Sequence, residues 1–394
     1  MLRAIRVVKF NRCRYLSTLE ATSTVKSDVL FNPTDEHRSL RQMLRSFVEA
    51  EVDPQAKEYN RLEKFNVDLF RKLGSLGLLG ITVPVEYGGS GMDATAAVIA
   101  HEEISSSDPA FCLSYLAHSM LFVNNLARNG NEEQKMKYLP DACSGTKIGG
   151  MGMSEPSVGT DVMGMSTTAV LSEDKSHYIL NGAKMWITNG TITGKDTGDV
   201  FLVYAKTGKG RGATDITSFI VEKGMSGFSL GQKIEDKCGM RASMTAELVF
   251  QDVKVPVSNI VGKVGGATLC MHRNLEIERV TLAAMSLGIA RRSIEIMSSY
   301  AQERKAFGKP IADYGQIQKA ISESYAEYMA GRSYVYQIAG NLDLNSHGNG
   351  LDADGVKLYC GPMAKRVADR AVQVSFFSLL MPYMSIILTR ISLL

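Results

Sequence analysis

A chain of 394 residues, 45% hydrophobic and 22% charged, is too long for one compact core and divides into two or three domains of ordinary globular composition. The net charge of +3 is small and partly local to the first residues, and no basic stripe runs through the body, so a nucleic-acid partner finds little support. The six cysteines at 13, 112, 143, 238, 270 and 360 form no close pairs, which argues against a disulfide framework and a zinc site.

Residues 1–19 carry Arg3, Arg6, Lys9, Arg12 and Arg14 with no acid before Glu20. Apolar residues alternate with these charges, and Ser and Thr follow. The pattern fits a mitochondrial transit peptide, assigned to 1–24, and places the mature protein in the mitochondrial matrix. From 25 to 148 the text reads as helices. Apolar residues recur at three and four over 36–51 and 66–76, and helical spacing returns over 94–104 and 109–128. Pro84 and Tyr87-Gly88-Gly89-Ser90-Gly91 break the run, and the Asn129–Glu132 turn starts another short helix. His101-Glu102 lacks a second His at a metal-binding offset and reads as a solvated helix face.

Residues 149–265 switch to period two. The runs 200–205, 217–222 and 246–253 alternate or are β-branched, with Gly, Asp and Lys turns between them. Gly208-Lys209-Gly210-Arg211-Gly212 is a loop tip and not a phosphate loop, since no Gly-Lys-Ser/Thr follows. From 266 to 374 helical spacing returns over 271–300, 312–340 and 352–374, the makings of an antiparallel bundle. The stretch 375–394 is apolar without period and has Pro382 in its middle. It has about the 20-residue length of a membrane helix, but Arg390 and the chain end follow at once and no stable span is expected.

Two stretches carry candidate chemistry. The first runs from Met151 to Asp161 and crowds Ser, Thr and Asp with Gly and Pro; it reads as a strand breaking into a loop that shows N–H groups and hydroxyls. The second, Lys184-Met185-Trp186-Ile187-Thr188-Asn189-Gly190, reads as the start of the next hairpin and holds the only Trp of the chain. Together they suit a planar, electron-poor ring, with amides and hydroxyls for its edge and an indole for its face. A polar turn and a core Trp remain the alternative. Glu278 is the sharpest single residue. On its helix Leu275, Leu282, Met285 and Ile289 share its stripe, and Val280, Ala283, Leu287, Ala290 and Ile294 form a second apolar stripe. A carboxylate on such a face is desolvated and its pKa rises toward that of a general base. Pairing with Arg279 or another neighbour is equally open.

At this spacing the two stretches resemble the flavin signature of the acyl-CoA dehydrogenase family. The likeness covers roughly 30–374 and includes Leu113-Ser114-Tyr115, Ala117-His118-Ser119, Asn129-Gly130-Asn131-Glu132, His177-Tyr178-Ile179-Leu180-Asn181-Gly182, Phe219-Ile220-Val221-Glu222-Lys223-Gly224-Met225 and Leu275-Glu276-Ile277-Glu278-Arg279. The resemblance implies an α+β fold: an all-α domain at 25–148, a β-barrel domain with the flavin and acyl-CoA site at 149–265, and a helical bundle at 266–374. It implies FAD as cofactor, held by Met151, Met153, Ser154, Gly159, Thr160, Trp186, Ile187 and Thr188. Arg304, Phe307 and Gln318, with Gln316 beside it, would reach the FAD of a neighbouring subunit in a homotetramer. Glu278 would be the base, as in those branches that carry it on this helix. Thr160, Glu276 and Arg279 would meet the CoA moiety, and Leu113 the acyl chain.

The implied reaction is α,β-dehydrogenation of a short branched acyl-CoA of leucine breakdown, with electrons passing to electron-transfer flavoprotein. Leu116 and Leu269 stand where the branched-chain members have Gly and Tyr, which leaves another short or medium chain as an alternative. The family continues past 374 with a Gly-Gly-x-Gly-Tyr loop and a final helix, and the text of 375–394 shows neither. That leaves a truncated, non-catalytic product as the reading of another class.

Overall fold

The computed structural model describes residues 29–375 except 347 and 349. The expectations for 1–24 and for the apolar stretch from 376 onward lie outside the described residues. Caps set the first helices. Thr34 opens α1, Asp35–Phe47, by accepting from the His37 N–H, and Asn66 does the same for a short helix at Val67–Ser75. Asp93 caps α2, Ala94–Ser105. Asp108 caps a helix that runs from Pro109 to Asn129 through a π-helical segment, Ala117–Asn124. The turn at 129–132 becomes a complete capping box, with the Asn131 side chain on the Gln134 N–H and the Gln134 side chain on the Asn131 N–H, ahead of α3, Glu132–Ser144. The C-terminal half supplies α4, Ala267–Glu303, α5, Gly315–Ala339, and α6, Gly350–Val374.

The N-terminal and C-terminal helices share one core. Leu44, Phe70, Ile99, Phe111, Leu287, Val335 and Val367 belong to a single buried cluster, and each large apolar side chain sealed there contributes on the order of 1.5–3 kcal/mol. Pro109–Asn129 is long and apolar enough to cross a membrane, yet 89% of its apolar window is buried inside the protein.

Helix α2 corrects one expectation. His101 and Glu102 are not on a solvated face, because every residue of α2 is buried. Neighbouring helices surround it, so no face is left for water. Glu102 instead accepts from Arg41 Nη1 at 3.0 Å and from Tyr328 Oη at 3.0 Å, and lies 2.9 Å from Arg332 Nε. Glu103 pairs with Arg291 Nη2 at 2.7 Å. These charges tie α1, α2, α4 and α5 together inside the core.

Between the helical parts lies an eight-stranded sheet. Its strands in chain order are β1, Gly149–Gly152; β2, Thr168–Leu171; β3, His177–Thr188; β4, Val200–Lys206; β5, Ile216–Glu222; β6, Phe228–Lys233; β7, Thr245–Pro256; and β8, Ile260–Val261. They pair in the open order β6-β7-β3-β2-β4-β5-β8, with β1 parallel to β4. The stretch from Lys184 to Thr188 therefore closes a long strand instead of starting a hairpin. His118, buried in the π-helical segment, joins the layers: its Nδ1 accepts from the Gly149 N–H at 3.0 Å and its Nε2–H donates to the Ala142 carbonyl at 2.9 Å.

Candidate active site

The end of β1 and the end of β3 approach each other closely. A Cβ on Gly150 would stand 2.6 Å from the Thr188 carbonyl oxygen, so only glycine allows the approach. The Met185 N–H donates to the Ser154 carbonyl at 2.9 Å, which fastens the 151–161 loop to β3. Beneath this junction Lys184 Nζ lies 2.8 Å from Glu155 Oε1, with both side chains sealed from solvent. Lys184 also donates to the Met153 carbonyl at 3.1 Å. The other carboxylate oxygen of Glu155 accepts from the Ser166 N–H and Oγ, both at 2.6 Å. Burial raises the Glu155 carboxyl, but Lys184, Ser166 and Thr167 outweigh it and hold the group down to about 2. Burial lowers the Lys184 ammonium to about 8 against the pull of Glu155. The pair is thus ionised at neutral pH.

A β-bulge between Lys184 and Ile187 interrupts the pairing of β3 with β7. Trp186 sits in it at φ 61°, a backbone region that a bulky residue rarely adopts. The indole is 54% exposed, which overturns the core-Trp alternative. Ser154 and Thr188 are half-buried on either side, while the Ile187 side chain points into the sheet core, so only its backbone is offered outward. Met151, Met153 and Leu275 are half-buried apolar neighbours around a small cluster under the loop. Gly159 and Thr160 are exposed, and nothing lies within 4 Å of where a Gly159 Cβ would be. Asp161 pairs with Arg211, which latches this loop to the 208–212 tip. That tip is in turn held to the start of α4, where Thr268 Oγ1 donates to the Ala213 carbonyl at 2.8 Å.

Met271 and Leu275 of α4 pack beneath the loop, and Glu278 follows one turn later on the same stripe. The Glu278 Oε2 atom is shut off from solvent and has no hydrogen-bond partner among the described residues. Burial pushes the carboxyl up to about 7, opposed only by the nearby charge of Arg279. The expected alternative of a Glu278–Arg279 pair fails, because Arg279 turns to Asp354. Glu276 is buried and accepts from the Gly348 N–H at 3.0 Å. Leu113 is half-buried against the helical core, Leu116 is fully within it, and Leu269 is exposed.

The remaining expected residues lie elsewhere. Arg304 follows the end of α4, and Phe307 stands 96% exposed on the hairpin after it. Gln316 and Gln318 are exposed on the first turn of α5, and Gln318 Nε2 donates to the Ala312 carbonyl at 3.0 Å. Along α4 these groups are roughly 40 Å from Glu278, by the rise per residue of a helix. One chain therefore does not bring the two sets together. The sequence reading singled out neither Glu155, Lys184 nor Asn189. Asn189 Nδ2 donates to the Ser114 and Gly149 carbonyls, each at 3.0 Å. The alternation of β3 held a signal for Lys184, since Tyr178, Leu180 and Lys184 share the buried face.

Comparison with known proteins follows the same lines. The family model described as acyl-CoA dehydrogenase, N-terminal domain, matches residues 34–146, the middle-domain model 150–253 and the C-terminal-domain model 265–375. The mitochondrial isovaleryl-CoA dehydrogenase of Pongo abelii is 42% identical over 350 residues, covering 88% of this chain and 81% of that relative. Butyryl-CoA dehydrogenase from Megasphaera elsdenii superposes with a TM-score of 0.84 at 33% identity, over 91% of this chain and 93% of that one. A chain from the structure of an electron transferring flavoprotein of Acidaminococcus fermentans superposes with a TM-score of 0.85 at 34% identity, again over 91% and 93%.

Proposed function

The chain belongs to the acyl-CoA dehydrogenase family, flavoprotein oxidoreductases that act on CH–CH bonds, and from that premise we propose that it oxidises isovaleryl-CoA to the α,β-unsaturated thioester in the mitochondrial matrix. The observation that carries the mechanism is the buried, unpartnered Oε2 of Glu278 on an otherwise apolar stripe. Glu278 takes the α-proton of the acyl thioester. A desolvated carboxylate, stabilised only by the nearby charge of Arg279, is the stronger base, and burial that pushes it up to about 7 keeps it available at neutral pH.

The residues at the junction of β1 and β3 fit FAD, the cofactor of the family. Trp186 offers an uncovered indole, Ser154 and Thr188 offer hydroxyls, and Met151, Met153 and Leu275 offer an apolar, half-covered floor. FAD held by these residues would supply a two-electron acceptor for the hydride released from the acyl Cβ. Thr160, Glu276 and Arg279 orient the CoA moiety, and Leu113 borders the acyl chain. Arg304, Phe307 and Gln318 hold the FAD of another copy in a homotetramer, a reading supported by their distance from Glu278 on one chain. Electrons leave to electron-transfer flavoprotein, supported by the likeness to a chain from such an assembly.

The test is one anaerobic titration. Purified protein with flavin absorbance near about 450 nm bleaches when isovaleryl-CoA is added, and the Glu278→Gln protein keeps its colour. Faster bleaching by a straight-chain acyl-CoA would move the substrate to another member of the series. Bleaching by the Gln variant would remove Glu278 from its role.

A further inference from the structure

We infer that the buried Lys184–Glu155 ion pair is the positioning element of the flavin site, setting the Met153–Ser154 strand end against the Trp186 bulge; the inference rests on the flavin reading of these two stretches. Each member of the pair lies next to a surface group of the site. Glu155 directly follows Ser154, and Lys184 precedes Trp186 by two residues. Their side chains point the other way, into the protein, and meet at 2.8 Å.

The pair fixes three chain segments at once. Lys184 holds the Met153 carbonyl, Glu155 holds the Ser166 and Thr167 N–H groups at 2.6 and 2.9 Å, and the Met165 sulfur lies 3.7 Å from Lys184 Nζ. The loop from 156 to 165 therefore leaves and returns at one buried point. Backbone hydrogen bonds supply only part of this: Met185 holds the Ser154 carbonyl and Lys206 the Thr167 carbonyl, but β1 ends at Gly152, β2 begins at Thr168, and a bulge opens β3 beside Lys184. A hydrophobic filling of the same space would have no direction and would leave the Met153 carbonyl and the Ser166 and Thr167 N–H groups without these partners. Two charges with fixed donors admit one arrangement. Replacing a buried pair by neutral groups of similar shape is often nearly neutral for stability, so positioning and stability can be measured apart.

The test uses the sole tryptophan as reporter. In flavin-free protein, the Lys184→Met/Glu155→Gln double variant is expected to keep its unfolding midpoint while acrylamide quenching of Trp186 changes about twofold or more. Its FAD dissociation constant is expected to rise about tenfold, which is about 1.4 kcal/mol. Glu155→Asp keeps both charges but shortens the reach, and it is expected to lie between the two. If the double variant does not fold, the same two readouts on Glu155→Asp decide.

Unchanged quenching together with unchanged FAD affinity, in whichever variant folds, would overturn the inference. So would a fall in the unfolding midpoint with both readouts unmoved, since the pair would then be structural only. Wild-type protein whose Trp186 emission ignores FAD would instead sink the flavin reading itself, so the two failures are distinguishable.

Discussion

Arg279 turns its guanidinium to Asp354, Nε to Oδ1 at 3.0 Å, and leaves Glu278, its neighbour in sequence, without a partner for Oε2 among the described residues. Successive residues on a helix point about 100° apart. The cation therefore serves α6 while the carboxyl stays in the apolar face.

This arrangement fixes a pH profile. Burial raises the Glu278 carboxyl to about 7, and only its ionised form can accept a proton. The kcat/KM for isovaleryl-CoA is expected to rise with pH through a single ionisation near 7 and to level off above it. A profile flat from pH 5.5 to 8.5 (about three units around that value) would remove Glu278 as the group that titrates.

The same shift has a stability sign. The folded protein holds the Glu278 proton in a range where the unfolded chain has lost it, so this group's contribution is present below the ordinary carboxylate range and is lost as pH rises through about 7. Glu278→Gln is expected to melt higher than wild type at pH 8 (about one unit above that ionisation), with the gap closing in mild acid. Differential scanning calorimetry at both pH values checks it, and a gap independent of pH would contradict it.

Two of the buried histidines, His101 and His118, act in the opposite sense. Burial lowers His101 and His118 from the ordinary imidazole value of 6.5 to about 4 each, against hydrogen bonds to backbone groups. The unfolded chain binds their protons first, so their stabilisation is present above 6.5 and falls away as pH drops toward 4. Each accounts for roughly 3 kcal/mol over that window. His118→Gln, whose amide can serve both the Gly149 N–H and the Ala142 carbonyl, is expected to flatten the acid limb of denaturant midpoints. An unchanged limb would count against the assignment.

The ion cluster around α2 is expected to be costly to break. Glu102→Gln leaves Arg41 and Arg332 without that carboxylate in the core and should destabilise by about 3–5 kcal/mol. Burial raises the Glu102 carboxyl, but Arg332 and Arg41 outweigh it and hold the group down to about 2. Its stabilisation is thus present above the ordinary carboxylate range and is lost as pH falls toward 2. Urea unfolding at neutral pH measures the loss, and a change below 1 kcal/mol (about the worth of an exposed pair) would show the cluster is not a staple.

The hairpin beyond α4 yields an assembly prediction. If Arg304 and Phe307 hold the cofactor of another copy, Arg304→Ala lowers the flavin-to-protein absorbance ratio of purified protein and leaves Trp186 emission in the flavin-free form unchanged. Full flavin content in the variant would separate this hairpin from the cofactor.

The sequence by itself determined the order of elements and the acyl-CoA dehydrogenase family to which the chain belongs. Caps such as Asn131 with Gln134 and the alternation in 200–205 and 217–222 are local signals, and local hydrogen bonding obeys them. Glu278 stood out as a candidate because a carboxylate breaks an apolar stripe whose period is set by the helix alone. Only the tertiary structure decided the burial of α2, the outward turn of Trp186 and the pairing of Arg279 with Asp354. Each depends on what packs against the residue from a distant part of the chain. Arg332 reaches Glu102 from a helix more than two hundred residues later, and Ala246 and Leu248 on β7 fix where β3 must bulge. Spacing along one element carries no record of such partners. The same text, Glu102 or Trp186, reads as surface or core until the facing element is in place.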